Sequence, residues 1–479
     1  MEQDRNKKLV KDFITYGVGN LGAKVITFLL FPFYTFFIAP DDFGYFNKAL
    51  VTVFLLMVVV SLQLREGVFR FLIDNADEAN RRSVIRQSYR LLFGMMVVVS
   101  ALYLLVSAFI PIRCGYYILG LLLTLSFYEV QIQIVRGLRR TQFFVLCGLI
   151  SSILIALFSV VFVKYLKWGI EGIFFANILA RLLVLVLMEI KLSTLRQFFS
   201  FRNANDPPLA RQLLKYCAPL IANGIFLWVM GSVFFHIIDN FLGEYATGLY
   251  SAVFKFAEII GIMSFIVFQA WQETSILQLH SEDRDRYYSS MLNTYLLLLT
   301  GFVIALTFVL KSIYGIVVDK QYTSSIFYLY VLCISQIGYA LQGFVGAIFL
   351  AKKNTFQLLY ISFASALVGL VSYYFLIRYV GLMGAAIGYG VSFFFMFVCY
   401  LVTIRKTVKI SFTMPALFAS ILILTGGGFI FHMTELAIWR ILYGAISFGV
   451  IYLVMPKTVV QGVKQWVIKW IRRFPPTRE

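Results

Sequence analysis

Charge is what this chain has least of. Only 14% of its 479 residues are Asp, Glu, Lys or Arg, against roughly a quarter in a soluble domain. Acid is scarcer than base, 23 residues against 42, and there are 10 Pro, 5 Cys and 3 His. Each shortage excludes something. So few charges cannot cover a soluble surface. His236, His280 and His432 are far apart and form no HExxH or paired metal spacing. Cys147, Cys217, Cys333 and Cys399 sit in apolar runs and Cys114 at the edge of one. They read as inert buried thiols, neither a zinc site nor a disulfide framework. The chain has no Gly-Lys dipeptide, which removes a P-loop and ATP hydrolysis of that kind. No metal or cofactor is expected.

What is present is apolar. Hydrophobic residues make up 60% of the chain, with 49 Phe among them, and the mean hydropathy is +0.84. A soluble fold of this length has too little interior to bury that much apolar surface. The solvent that suits it is a bilayer, and the expected class is an all-α membrane protein. At about 20 residues per span, apolar runs place fourteen spans. Their approximate limits are 13–38, 44–64, 91–111, 116–135, 142–163, 170–190, 217–238, 244–270, 291–310, 324–350, 355–377, 382–403, 414–432 and 436–456.

The basic residues set the orientation. With the N-terminus in the cytoplasm, 31 of the 42 Lys and Arg fall in inner segments and 7 in outer turns. That asymmetry is the positive-inside pattern, and a span missed or invented mid-chain would have reversed it downstream. Most of the +19 net charge therefore marks the inner face. Short basic clusters between apolar runs do not suit nucleic acid, so no nucleic-acid partner is expected. MEQDRNKKLVK reads as a cytoplasmic tail before a retained first span, since no small-residue cleavage site follows. The stretch NANDPP is linker-like and marks a lobe boundary near residue 200. After Pro456, Val459, Val463, Trp466, Val467 and Trp470 share a helical face beside Lys and Arg. That pattern suits an interfacial helix on the anionic inner leaflet.

An internal repeat orders these spans. Leu9-Val10-Lys11 matches Leu213-Leu214-Lys215 at an offset of 204, and Gly44-Tyr45-Phe46 matches Gly248-Leu249-Tyr250 at the same offset. Arg139-Arg140-Thr141 parallels Lys352-Lys353-Asn354, and Trp168 to Gly172 parallels Val380 to Gly384. Spans 1–6 thus reappear as spans 7–12. An even number of spans per half makes the repeat parallel, with its axis along the membrane normal. The expected units are residues 1–200, residues 201–410, an extra pair of spans over 411–456, and the tail 457–479.

Ionisable side chains inside spans cost about 2.5–3.5 kcal/mol each on insertion scales and are functional candidates. Four are basic: Lys24 in span 1, Lys48 near the outer end of span 2, Arg181 in mid-span 6 and Lys255 in span 8. Lys48 can also snorkel outward. Glu129 in span 4 and Glu258 in span 8 are the acids well inside; Glu171, Glu189, Asp239 and Glu244 lie at span ends. Lys255 and Glu258 are three apart and so can pair on one helical face. Arg65 and Arg70 follow span 2 at the inner rim, with Glu66 and Arg136 nearby, where arginine also anchors to lipid phosphates. The interior stays net basic, which suits an anion and not a cation. The short outer turns leave no room for a soluble catalytic domain, which argues against an enzyme.

Certain of these residues resemble a known family. Ile238-Asp239-Asn240-Phe241-Leu242-Gly243 and then Thr247-Gly248-Leu249-Tyr250-Ser251-Ala252 resemble the span 7–8 turn of bacterial polysaccharide flippases, in the multidrug/oligosaccharidyl-lipid/polysaccharide exporter superfamily. Ala39-Pro40-Asp41-Asp42-Phe43-Gly44-Tyr45-Phe46 is similar to that family's first outer turn. Arg65-Glu66-Gly67 with Arg70 resembles its segment after span 2, and Lys11 with Phe13 and Gly381 to Ala386 also fit. The resemblance implies two six-helix lobes with alternating access. It implies movement of undecaprenyl-diphosphate-linked oligosaccharide across the bacterial cytoplasmic (inner) membrane, for surface polysaccharide such as O-antigen or capsule. The implied partners are that lipid-linked glycan, membrane lipid and a downstream polysaccharide polymerase. In related lipid II flippases, basic residues on spans 1, 2 and 8 face the diphosphate, and Lys24, Lys48 and Lys255 occupy those spans here. Together with the charges read within and beside the spans, the expected substrate-binding set is Lys24, Lys48, Arg65, Arg70, Arg181, Lys255 and Glu258. The extra spans 13 and 14, shared with lipid II flippases, would line a groove for the polyprenyl tail. A lipid II flippase, a cation-coupled drug antiporter and a membrane glycosyltransferase are the competing readings.

Overall fold

Helix starts are written into the sequence, and the computed structural model follows them. It describes residues 22, 25, 26, 28–74, 77–195, 206–352 and 355–455. Helix α1 covers Phe28–Phe37. Helix α2 (Pro40–Val60) begins with proline in its first turn, followed by Asp41 and Asp42. Proline lacks the N–H that would be orphaned there, and the acids complement the positive end of the helix dipole. Then come α3 (Leu64–Asp74), α4 (Glu78–Ser107), α5 (Gly115–Gly137), α6 (Thr141–Ser159) and α7 (Gly169–Leu192). Asp77 caps α4 by accepting from the Asn80 N–H at 3.2 Å. A π-helical stretch, Val160–Tyr165, extends α6.

Helix α8 (Pro207–Leu277) runs on for 71 residues, but its backbone breaks at Gly243, at φ 85 and ψ 176. It is two limbs, residues 207–242 and 244–277, meeting where the seventh and eighth spans were expected to turn. The chain continues through α9 (Arg284–Val317), a 3₁₀ segment Lys320–Tyr328, α10 (Leu329–Ala351), α11 (Thr355–Val380), α12 (Leu382–Ile404), α13 (Met414–Met433) and α14 (Ala437–Val454). Among the described residues there is no strand, and 12 helices are long and apolar enough to cross a membrane, α8 counted once. With α8 taken as two limbs, every expected span from the second onward has its helix. The first is described over part of its length. The tail beyond residue 455 and residues 203–205 of the linker-like NANDPP stretch lie outside the described residues.

The outward faces suit lipid. Only 6% of the apolar window of α4 and 17% of that of α14 is buried in the protein. Val97, Leu102, Leu105, Ile441 and Leu453 all point away from it. Backbone polar groups in these elements are satisfied inside each helix, which is what lets them stand in hydrocarbon.

The stretch between the expected second and third spans, 44–64 and 91–111, is structured. The inner segment from Arg65 to Arg90 contains α3 and the first turns of α4. Leu64, Val68 and Leu72 of α3 are fully buried against Val84, Tyr89, Leu92, Ile134 and Cys217. Counting charges made this an inner segment between spans. Its apolar residues nevertheless recur at i, i+4 and i+8, the spacing of a helix face.

By contacts the chain divides into two compact units, Met1–Ala252 and Val253–Glu479. In the first, a buried network ties α4, α5 and the end of α7. Tyr89 bonds Gln131 and Thr194, and Thr194 donates to Glu189 at 2.9 Å. In the second, a strap of extended chain between α12 and α13 is held to α9. Asp285, Ser289 and Asn293 accept from the N–H groups of Lys409, Ser411 and Thr413 at 3.0, 3.1 and 2.8 Å. Four helical residues rise about 6 Å, and two extended residues about 6.6 Å. The two periods match, so each polar side chain meets every second amide.

Candidate functional site

The expected basic residues meet different fates. Lys24 lies outside the described residues. Lys48, on the third turn of α2, is the most heavily paired. Its Nζ is 2.7 Å from Asp239 Oδ2 and 3.4 Å from Glu244 Oε1, both on α8. One turn further on, Thr52 Oγ1 is 3.1 Å from His236 Nε2. Beyond that, the Trp228 indole donates to the Val51 carbonyl at 2.7 Å. A polar seam therefore runs between α2 and the first limb of α8.

The turn between α4 and α5 joins it. Arg113 pairs with Asp42 at the start of α2, and its second nitrogen is 3.7 Å from Glu244. Asp42 beside it pushes the guanidinium pKa above its ordinary value, so this charge is permanent. Tyr45 donates to the Arg113 carbonyl. Its ring lies 4.9 Å from the guanidinium and 5.2 Å from the Lys48 ammonium. Two cations thus share one aromatic ring and three carboxylates.

Backbones also meet here. A Cβ on Gly44 would stand 2.1 Å from the Glu244 carbonyl oxygen. A Cβ on Gly248 would stand 1.9 Å from the Pro40 carbonyl oxygen. Any side chain at either position would hold the two helices apart.

Arg181 on α7 is different. Its guanidinium donates to the Asn177 carbonyl and to Asn177 Oδ1 at 3.0 and 2.8 Å. It lies 6.0 Å from the Tyr128 ring, and Glu129 and Tyr34 are within electrostatic reach. Among the described residues it makes no ion pair. Glu129, the nearest acid, is instead 3.5 Å from Arg65. Arg65 also bonds Glu66 at 3.1 Å, and Arg70 is exposed on α3. In the second unit, Lys255 bonds Glu258 on its own helix at 2.8 Å, as the three-residue spacing predicts.

The structure thus gathers Arg65, Glu129 and Arg181 into one polar interior on α3, α5 and α7, and separates Lys48 from it by giving it carboxylates of its own. Sequence reasoning passed over Asp239, Glu244 and Arg113, which it placed at span ends and turns where water is close. The available signal was the repeat. Pro40 and Glu244 are 204 residues apart, as are Gly44 and Gly248, and these four residues form the close contact.

Comparison with known proteins gives the following. A family profile described as polysaccharide biosynthesis protein matches residues 9–271. No curated protein sequence matches the chain. Solved structures do match. A lipid II flippase, MurJ, in an inward closed conformation aligns over 92% of this chain and 98% of its own, at 14% identity and a TM-score of 0.70. An inward-facing multidrug resistance transporter of the MATE family in the MOP superfamily aligns over 84% and 95%, at 13% identity and a TM-score of 0.61. A MOP superfamily transporter from Pyrococcus furiosus, reported with a binding pocket of reversed polarity, aligns over 83% and 94%, at 14% identity and a TM-score of 0.59. At these identities the likeness is one of fold.

Proposed function

The chain belongs to the polysaccharide biosynthesis protein family, and from that premise we propose that it is a flippase for undecaprenyl-diphosphate-linked oligosaccharide repeat units. It works by alternating access in the cytoplasmic membrane, with both termini on the cytoplasmic side, to supply surface polysaccharide. Residues 1–200 and 201–410 form its two lobes, 411–456 the extra pair of spans and 457–479 an interfacial tail.

The observation that carries this reading is Arg181, a cation inside a span with two hydrogen bonds to Asn177 and no ion pair among the described residues. A guanidinium offers five donors in a fork that fits phosphate oxygens two at a time. Asn177 uses two of those donors and leaves the charge uncompensated. Arg181 is therefore the first ligand of the diphosphate, with Lys24 and Lys255 as further point charges. Glu258 holds Lys255 in place until the phosphate displaces it. Arg65 and Arg70 capture the head group at the inner rim.

The test is direct. Purified protein in liposomes should move labelled lipid-linked oligosaccharide between leaflets without changing its mass, and Lys24→Ala with Lys255→Ala should stop it. A change in mass would point to a glycosyltransferase. Competition between lipid-linked oligosaccharide and lipid II in the same liposomes decides between the polysaccharide and lipid II readings. A cation–drug antiporter needs exposed acids within the spans. Glu129 and Glu258 are each committed to a basic partner, which argues against it.

A further inference from the structure

The close contact between α2 and α8 is reciprocal. Gly44 faces the carbonyl of Glu244, and Gly248 faces the carbonyl of Pro40. Gly44 and Gly248 are equivalent at the repeat offset of 204, and so are Pro40 and Glu244. When i meets j and the equivalent of j meets the equivalent of i, a two-fold axis passes through the contact. In a parallel repeat that axis runs along the membrane normal, and a path shared by both halves of the repeat must follow it. The contact therefore sits on the path, at the end where outer turns were expected.

The next turn of each helix repeats the pattern. Asn47 and Ser251 are again 204 apart, and both are buried. Among the described residues, Asn47 Nδ2 and Ser251 Oγ have no hydrogen-bond partner. Buried polar groups without partners are rare, and they suit a surface that meets water or ligand in another state. Around this contact stand the ion pairs of Lys48 with Asp239 and Glu244, and of Arg113 with Asp42 and Glu244.

We propose that this glycine contact is the outer seal of the transport path, and that Lys48 is its latch, joining α2 to Asp239 and Glu244 while the seal is shut. Lys48 is then a positioning residue for closure, and the diphosphate is left to Arg181, Lys24 and Lys255. A pair bridging two helices forms only when those helices meet, so it reports and favours the closed state. The second Asp239 oxygen, Oδ1, is buried without a partner. Among the described residues Lys48 is the ion-pair partner of Asp239, so opening must hydrate both.

The proposal rests on the transport reading for its purpose, but its first test needs no substrate. Ser251→Cys, in a Cys114→Ser background, places a thiol beneath the seal. In membrane vesicles of known orientation, a membrane-impermeant maleimide applied from the outer side should label it slowly. Lys48→Ala or the milder Asp239→Asn should raise that rate roughly tenfold or more, as when a minor open state becomes the major one. The exchange Lys48→Asp with Asp239→Lys should restore slow labelling. Unchanged labelling in both single variants, or no restoration by the exchange in folded protein, overturns the latch. Transport in liposomes supplies the second readout. If the exchanged protein moves lipid-linked oligosaccharide at more than half the native rate, Lys48 serves closure. If it binds that lipid far more weakly while labelling stays slow, Lys48 is a substrate ligand and the proposal fails. Should labelling behave as expected while no lipid-linked glycan moves, the seal stands and the substrate reading falls.

Discussion

Lys48 and Lys255 occupy repeat-equivalent helices, α2 and the second limb of α8, three residues out of register at the offset of 204. Their surroundings could hardly differ more. Lys48 bonds a carboxylate 191 residues away on another helix. Lys255 bonds one three residues away on its own. An own-helix pair travels with the helix and is indifferent to what the neighbours do. A cross-helix pair ties two bodies together and is lost when they separate. Two lysines that look alike in the sequence are thus paired differently, one within its own helix and the other across to a second helix. Arg181 has neither kind of ion pair among the described residues.

That contrast breaks most completely at Arg181. Arg181→Gln should reduce transport of lipid-linked glycan by about 10- to 100-fold, the cost of roughly 1.5–3 kcal/mol for a charged hydrogen bond. The folded fraction should stay near native, and Arg181→Lys should recover part of the rate. Next in size is Lys48→Met, which leaves Asp239 without its partner. Breaking a buried pair on one side costs about 3–5 kcal/mol, and the partial exposure here, 22% and 21%, brings the expectation to the lower end. Thermal unfolding in detergent should show it, and Lys48→Met with Asp239→Asn should recover most of the loss.

The strap offers a milder comparison. Asn293→Ala removes the acceptor for the Thr413 N–H and the donor to the Ser411 carbonyl. At about 1 kcal/mol per bond, it should lower stability by roughly 2 kcal/mol. Amide exchange should rise first at residues 409–413. Smallest of all is Lys255→Met. Its pair is 35% and 39% exposed, and such pairs contribute about 0–1 kcal/mol. A melting temperature that fell as far as in Lys48→Met would erase the distinction between the two lysines.

Much was legible before any coordinates. The apolar spans from the second onward and the Lys255–Glu258 pair follow from local pattern, while α2 and α4 begin earlier, at Pro40 and Glu78, than the apolar runs starting at 44 and 91. The family resemblance was legible too, because its motifs are short segments around turns. Less legible was α3, hidden within a charged segment because a count of basic residues ignores periodicity. The seam was legible only as the repeat offset of 204, which marks Pro40, Gly44, Glu244 and Gly248 but not which charges pair. Asp239, Glu244 and Arg113 each looked like an ordinary residue at a water-facing helix end.

The sequence alone determined that this is an all-helical membrane protein and where its spans lie, and it shows similar short segments at a fixed offset. These are one-dimensional properties: length against bilayer thickness, apolar period against helical period, and the same residues at a fixed offset. Only the tertiary structure decided which cations are compensated. That depends on which helices meet, and at what height. A lysine and a carboxylate 191 residues apart cannot be paired from spacing, because contact distance is set by the packing of helices and not by the chain between them.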